Sequence, residues 1–512
     1  MEDLTPIIIG GGQFTQKGVD PLLAHPPMGI AAEAAKAALA DTGQGEVLAK
    51  LIDTLLVIRI FPDSSNRPRM QIPFGRAENP PRAVARRIGA NPVNAIYGNV
   101  GGNTPQKYIS EMAERIASGD VEVALLTGSE AIETARTAIR NNIQLDWQED
   151  DSGSLEDRGI GETMMTPHEF AHGIGIPIQT YPLFENAIRG QLGHSVEEHM
   201  LAMGELFAPF SEIAADNPYS SYGVRRSAED LATVTKENRF IGFPYPKWMN
   251  AMDGVNQGAA VVMTSVARAK ELGVDPSRWI FLHGCSEANE KILISERVNY
   301  YSSPAIAANS AQALDMAGKS IKDIAHIDIY SCFPSAVEIS ARELGLELDD
   351  FRGFTVTGGL PFFGGPGNNY SMHAIASMIP LLRNKPKDFG LVTANGGYLS
   401  KHATGIYSAT PAVGNWEKGS SVNIQQSINS MTGPEFTETP SGSGTIETYT
   451  VVFRKGNPEK GIIIGRVGQC GRRFIANTPI DDRNLNLMLE SDCLGVSGEV
   501  TSNNGLNTFT FN

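Results

Sequence analysis

Two side chains in the second half of the chain stand where nucleophilic or acid–base chemistry is feasible. Cys332 sits in Tyr330-Ser331-Cys332-Phe333-Pro334, just past a strand-like run and ahead of a helical pattern over Ala336 to Leu344. A thiol near a helix N-terminus has its thiolate favoured by the helix dipole. The alternative is an inert thiol buried against Phe333. His402 follows the glycine turn Gly396-Gly397 in the polar triplet Ser400-Lys401-His402, and a histidine after a strand-end turn is a candidate acid or base. His373 and His326 have simpler helix and strand-edge explanations. Cys285, Cys470 and Cys493 read as structural.

A literal HExxH occurs at His168-Glu169-Phe170-Ala171-His172. On a helix, that spacing lets two histidines share a zinc while the glutamate acts as base. Here Gly173, Gly175 and Pro177 break a helix just after His172, and Ile178 stands where a third histidine is wanted. No metal is expected there. Gly10-Gly11-Gly12 follows a strand but lacks GxGxxG spacing and an amphipathic helix, so a dinucleotide site is not indicated. Arg472, Arg473 and Phe474 have the composition of a nucleic-acid face, but ordinary barrel-surface charges explain them better.

These residues need elements to hold them. Strand-like runs (Pro6 to Gly10, Leu51 to Ile58, Val93 to Tyr97, Val121 to Thr127) alternate with helical patterns (Met28 to Ala40, Pro81 to Ile88, Tyr108 to Ala117). Such βαβα alternation predicts an α/β layered fold. The acidic stretch Gln144 to Gly161 reads as a surface loop, Phe184 to Ala208 as helical, and the remainder to Pro246 as an inserted loop domain. Ala259 to Ser265 returns to strand. The second half repeats the outline, with strands at Trp279 to Leu282, Ile327 to Tyr330, Phe354 to Thr357 and Gly390 to Thr393, and a helix at Ala305 to Ala317. Two matching segments stand out. Gly101-Gly102-Asn103-Thr104-Pro105 and Gly364-Gly365-Pro366-Gly367-Asn368-Asn369 each open a helix that leads to a strand. Free N–H groups and the dipole at such openings suit an anion or oxyanion. After Trp416 come the linker Pro440 to Gly444 and short strands at Thr445 to Arg454, Gly461 to Val467 and Thr508 to Phe511, without clear helix periodicity. This predicts a small β-barrel.

At 512 residues the chain is long enough for two to four domains. Its charge of 42 − 57 = −15 disfavours nucleic acid and anionic membrane as partners. Four scattered cysteines make no disulfide framework. The N-terminal MEDLTPIIIGGGQ does not read as a signal peptide, and no apolar run approaches a membrane span. A cytoplasmic location is the expectation.

The assembled pieces resemble the thiolase superfamily from the N-terminus to about Tyr407, on the Ile116, Gly119, Gly128 and Glu130 pattern, on GGLPFFGGPGNNY and NGGYLSKHA, and on YSCF, which is similar to the HDCF loop of sterol-carrier-protein-type thiolases. The extra C-terminal barrel resembles that of type 1 thiolase-like proteins, many of them labelled acetyl-CoA acetyltransferases. The resemblance implies a five-layered αβαβα fold with an inserted loop domain and an OB-like barrel. It divides the chain into residues 1–135 with 247–275, the insertion 136–246, the second half 276–415 and the barrel 430–512. The family's nucleophilic cysteine falls on Gly102, its catalytic histidine on Gly365, and its second cysteine near Thr393, before Asn395. The glycines leave room for a bulkier acyl group or a backbone oxyanion hole. The implied function is acyl-CoA-handling acyltransfer of Claisen or retro-Claisen type in lipid metabolism. Cys332, His402, Tyr330 and Asn369 are its catalytic candidates, and Gly102, Asn103, Gly365 and Asn395 line the site. Arg225, Arg226 and Lys247, with Arg239, are candidates for holding CoA. The alternatives are a non-catalytic CoA-thioester-binding protein and a retro-aldolase, since some thiolase-fold aldolases use tyrosines. No tightly bound cofactor is implied, acyl-CoA being substrate or ligand. A monomer or homodimer is expected.

Overall fold

The inner strands of the large ten-stranded sheet repeat between its two halves, while the first half adds outer strands, the last of them Glu156–Asp157, that the second half lacks. A computed structural model describes residues 3–65, 72–412, 416–468 and 470–512. From the centre outward on one side lie Pro6–Thr15, Asn256–Ser265, Val123–Ala131, Thr54–Val57 and Asn94–Tyr97. On the other side lie Ile280–Asn289, Lys401–Ser408, Phe389–Gly396 and His326–Asp328. The two halves meet where Ile7 and Ile8 pair antiparallel with Phe281 and Ile280. This pseudo-two-fold arrangement is the signature of a duplicated α/β half.

Helices Thr104–Ala117 and Tyr370–Asn384 pack against each other and against strands of both halves, so they form the central layer. Their caps are Asn103 and Asn369, matching the openings predicted from the glycine-rich segments. Pro27–Asp41, rich in alanine, packs closely on the outside of the first half, and Pro304–Met316 on the outside of the second. Five layers result, with apolar clusters between each pair. Among the described residues, no helix is long and apolar enough to cross a membrane.

The strand expected over Phe354 to Thr357 does not form. Asp328 ends its own strand, and its carboxylate accepts from Val356 N at 2.9 Å and Thr355 Oγ1 at 3.1 Å. Side-chain acceptors thus replace a ladder, with one backbone bond from Ile329 N to Phe354 O remaining. The helical stretch around Phe184 to Ala208 is two helices, Pro177–Leu192 and Val196–Asp216. Gly193 adopts φ 69° to end the first, and Ser195 with Glu198 forms a capping box that starts the second.

Strands Gly442–Arg454, Asn457–Val467, Arg473–Asn477, Ser497–Asn503 and Leu506–Phe511 close a five-stranded ring. The third and fifth pair in parallel, and the first pairs with both the second and the fourth. The stretch from Gly442 to Gly444 is therefore strand rather than linker. A helix over Asp482–Glu490, capped by the Asp481 carboxylate, lies between the third and fourth strands, where no helix is expected from periodicity. Phe240–Gly242 of the insertion extends the same sheet by pairing Gly242 with Val452.

Candidate functional site

The two central helix openings are laced together. Gly101 N donates to Asn368 Oδ1 at 3.1 Å, and Ser371 Oγ donates to Gly102 O at 2.9 Å. Asn368 Nδ2 reaches Arg59 O at 2.8 Å and Ser64 Oγ at 3.0 Å. Asn369 Nδ2 donates to Gly128 O at 2.7 Å, making Asn369 a strut between the halves. Neither Asn368 nor Ser371 stands out by spacing; they were reachable only as neighbours of Asn369.

Gly102 is a glycine because something else fills its side-chain space. A Cβ there would come within 2.8 Å of Tyr330 Cζ, and closer still to the Tyr330 hydroxyl and the Asn395 carbonyl oxygen. The expected room at this position is therefore absent: Tyr330 occupies it. Gly365 differs, since a Cβ there would meet its nearest neighbours at 3.5 to 3.6 Å, which is ordinary contact.

Around Tyr330 the elements converge. Its backbone N–H donates to Thr393 Oγ1 at 3.0 Å, which fixes the end of its strand to the next. Asn395 Nδ2 donates to Tyr181 Oη at 2.9 Å and lies 3.8 Å from Cys332 Sγ. Tyr181 stacks on Phe333 with ring centroids 4.3 Å apart and accepts from Leu399 N at 3.2 Å. It comes from the insertion, in a helix whose apolar pattern gives no sign of a site residue. His402 does not sit on a turn but in the strand Lys401–Ser408, directly opposite Asn395. Directly opposed residues share a face, so Asn395 links His402 to Cys332.

Burial decides the electrostatics here. The helix after Cys332 starts at Pro334, and the N–H groups of Cys332 and Phe333, with Tyr181 and Asn395, favour its thiolate. Desolvation outweighs them and pushes the thiol up to about 12. The thiolate expected from the helix start is thus overturned, and Cys332 is a neutral thiol at neutral pH. Burial likewise lowers His402 to about 4, so it is an uncharged, weakly basic imidazole. Its Nε2 is buried with no hydrogen-bond partner among the described residues. Tyr330 is raised well above the usual phenol range, first by burial and then by Cys332; it remains a donor.

A cavity of about 520 Å³ lies against the insertion, with Met252, Pro361 and Phe362 of the core on its wall. Lys17, Arg226, Lys247 and Trp248 line it, and the Arg226 guanidinium lies 3.4 Å from the Trp248 ring centroid. Ala251 N donates to Cys332 O at 3.0 Å, while Met252, on the cavity wall, accepts from Gly365 N at 2.9 Å. The backbone from Lys247 to Met252 therefore connects the cations to the Cys332 loop. Arg225 is not among them: it is exposed and paired with Asp216 at 2.6 Å. Arg239 lies against the barrel turn at Gly456.

His168 and His172 have committed nitrogens. His172 Nδ1 bonds His168 O at 2.8 Å, its Nε2 accepts from Asn507 N at 2.9 Å, and His168 Nε2 meets Asn507 Nδ2 at 3.3 Å. Glu169 caps its helix and accepts from Ser295 N. The motif docks the barrel onto the core. Arg473 is buried against Glu447 at 2.7 Å, and Phe474 is buried too, so they form no nucleic-acid face.

A duplicated αβαβα core with its two central helix openings laced together, and with Tyr330 standing over Gly102, defines a thiolase-fold protein. The comparisons agree. Residues 423–505 match the model of the thiolase-like protein type 1 additional C-terminal domain. The crystal structure of a monomeric SCP2-thiolase-like protein type 1 from Mycobacterium smegmatis is 40% identical over 100% of both chains, with a TM-score of 0.86. This chain belongs to the SCP2-thiolase-like type 1 family. An Ltp2-ChsH2(DUF35) aldolase (19% identity, TM-score 0.57, 80% of this chain and 98% of that one) shares the fold. So does an acetyl-CoA acetyltransferase from Syntrophomonas wolfei (16%, 0.55, 80% and 100%). No curated protein sequence matches significantly.

Proposed function

We propose that this protein binds an acyl-CoA thioester and acts on it without forming an acyl-enzyme at the thiolase position. The observation that carries this reading is the Tyr330 side chain in the space over Gly102. The CoA phosphates bind Lys17, Arg226 and Lys247, and the thioester carbonyl reaches Tyr330, which donates to the oxygen as negative charge develops there. Cys332 and Asn395 line the acyl group. His402, neutral and poorly basic, lines the same face as Asn395 rather than removing a proton.

A retro-aldol cleavage of a β-hydroxyacyl thioester is the second reading, favoured by a tyrosine hydroxyl where a thiolase keeps its nucleophile. The strand connectivity supports an OB-like identity for the C-terminal barrel. Four free cysteines, three of them buried, suit a reducing, cytoplasmic setting.

The test is calorimetry with CoA, acetyl-CoA and acetoacetyl-CoA, together with intact mass after mixing. Binding that weakens with salt, with no covalent acyl adduct, is expected. No heat with any of the three removes the binding claim. An acyl adduct on Cys332 restores the covalent acyltransferase reading. If there is turnover, Tyr330→Phe lowers kcat at least tenfold, the lower end of the loss on removing an oxyanion-type donor being roughly 100-fold.

A further inference from the structure

Lys401 precedes His402 on the strand, so alternation turns the two side chains to opposite faces. His402 shares a face with Asn395, and Lys401 with Gly396, its cross-strand partner. The Gly396 face looks onto Asn103 and Gly102, at the start of the central helix. On that side a cleft of about 640 Å³ is lined by Lys401, Asn99, Asn103, Lys107 and Glu162.

The amine there is held unusually open. Lys401 is only 7% exposed, yet among the described residues no hydrogen bond or ion pair engages its Nζ. The cleft's other lysines share Glu287, Lys418 at 2.9 Å and Lys107 at 4.0 Å. Gly161, at φ +86°, presents no side chain; even a Cβ there would stop 3.9 Å from Lys401 Nζ and 3.5 Å from Asn99 Nδ2. Asn103 Oδ1, buried and without a hydrogen-bond partner among the described residues, faces the same helix start.

We propose that Lys401 is an imine-forming amine and that this cleft takes a small ketone or aldehyde. The free amine adds to the carbonyl carbon. A C–N bond forms, the π pair moves to oxygen, and the oxygen takes a proton. The carbinolamine then expels water, leaving a protonated imine. The balance is amine, carbonyl and one proton giving the protonated imine and water, with no redox partner. Glu162 can carry the proton, and Asn103 Oδ1 accepts from the iminium N–H. Burial first, and then the Lys107 charge, lower the pKa of Lys401, against Glu162; both favour the free amine that the addition needs. The assignment goes beyond the thioester reading and does not depend on CoA binding.

The probe is pentane-2,4-dione, which converts a reactive lysine into a stable, ultraviolet-absorbing enaminone. Incubation of the full chain near pH 7.5, followed by peptide mass mapping, is expected to place the first adduct on Lys401, about tenfold faster than on exposed lysines, as a one-unit difference in pKa allows. Lys401→Arg loses that adduct at an unchanged melting temperature. Lys107→Met, which leaves Lys401 in place, slows labelling severalfold at neutral pH and restores it at higher pH. Adducts spread over exposed lysines, or an unlabelled Lys401 in folded protein, overturn the proposal.

Discussion

Gly102 reads in the sequence as missing chemistry, but the cause of the glycine lies in another residue's side chain. The Tyr330 ring stands over Gly102, so a cysteine placed there must displace it. Overpacking of this kind costs about 1–3 kcal/mol. Gly102→Cys is therefore expected to lower the melting temperature by several degrees, and Tyr330→Ala in the same chain to recover part of that loss, a coupling that a double-mutant cycle reads directly. Additive effects would mean that the two side chains do not compete for space. His402 gives a residue-scale prediction in pH. Its folded pKa of about 4 lies below the ordinary value of 6.5, so below pH 6.5 the unfolded chain binds a proton that the native chain refuses. Stability from this group is whole above pH 6.5 and falls as pH drops towards 4, by about 3 kcal/mol in all. Glu185 and Asp328, both raised by burial to about 7, act oppositely, contributing stability that is present below their unfolded pKa and lost as pH rises through 7. The comparison that isolates His402 is thus His402→Asn against the parent: the variant's melting temperature should fall less between pH 6.5 and 5.

At the scale of elements, much was legible because period and punctuation agreed. The central helices start at Asn103 and Asn369, where Gly-Gly-Asn and Gly-Asn-Asn precede helical runs. Three of the second half's strands were visible as short apolar runs; Lys401–Ser408, opened by a polar triplet, was not, and Phe354 to Thr357 was expected where none forms. There β-branched residues suggested a ladder, but Asp328, distant in sequence, took the N–H of Val356. The site itself was half legible. Tyr330, Cys332 and Asn395 come together as the loop resemblance implied, whereas Tyr181 arrives from the insertion, inside a helix that looks purely structural. A thiolate at Cys332 was read from local helix geometry; desolvation depends on the surrounding core, which no local pattern reports. Elements also carry the ligand prediction. Lys247 stands at the start of the short turn Lys247–Met249, on the backbone path to the Cys332 loop. Lys247→Glu should weaken CoA binding by tenfold or more and flatten its salt dependence, measured by calorimetry. Arg225→Glu, altering an exposed arginine already paired with Asp216, should change it little. Equal losses in the two variants would point to a diffuse field instead of this cavity.

At the scale of the molecule, the barrel and the core share buried charge, which makes them one cooperative body. Arg473, on the barrel's third strand, is fully buried; it bonds Glu447 within the barrel and also the carbonyls of Ser295 and Arg297 in the core. Arg189, on the insertion helix, is equally buried and pairs with Asp492 of the barrel at 2.7 Å, while Asn186 beside it donates to Tyr449 O at 2.8 Å. His172 accepts from Asn507 N in the last strand. Docking buries these groups and supplies part of their hydrogen bonds, so removing one cross-boundary partner leaves a buried polar group short of one. Arg473→Met removes one half of such a pair and strands Glu447, which is 20% exposed; the loss of a buried pair's partner costs about 3–5 kcal/mol, and here the lower end applies because Arg466 also contacts Glu447. Scanning calorimetry of the parent should show a single transition spanning core and barrel. In Arg473→Met that transition should move down by several degrees and remain single. Two resolved transitions in the parent, or a variant in which only a minor barrel transition shifts, would show that the barrel folds independently and that the shared buried charges do not couple it to the core.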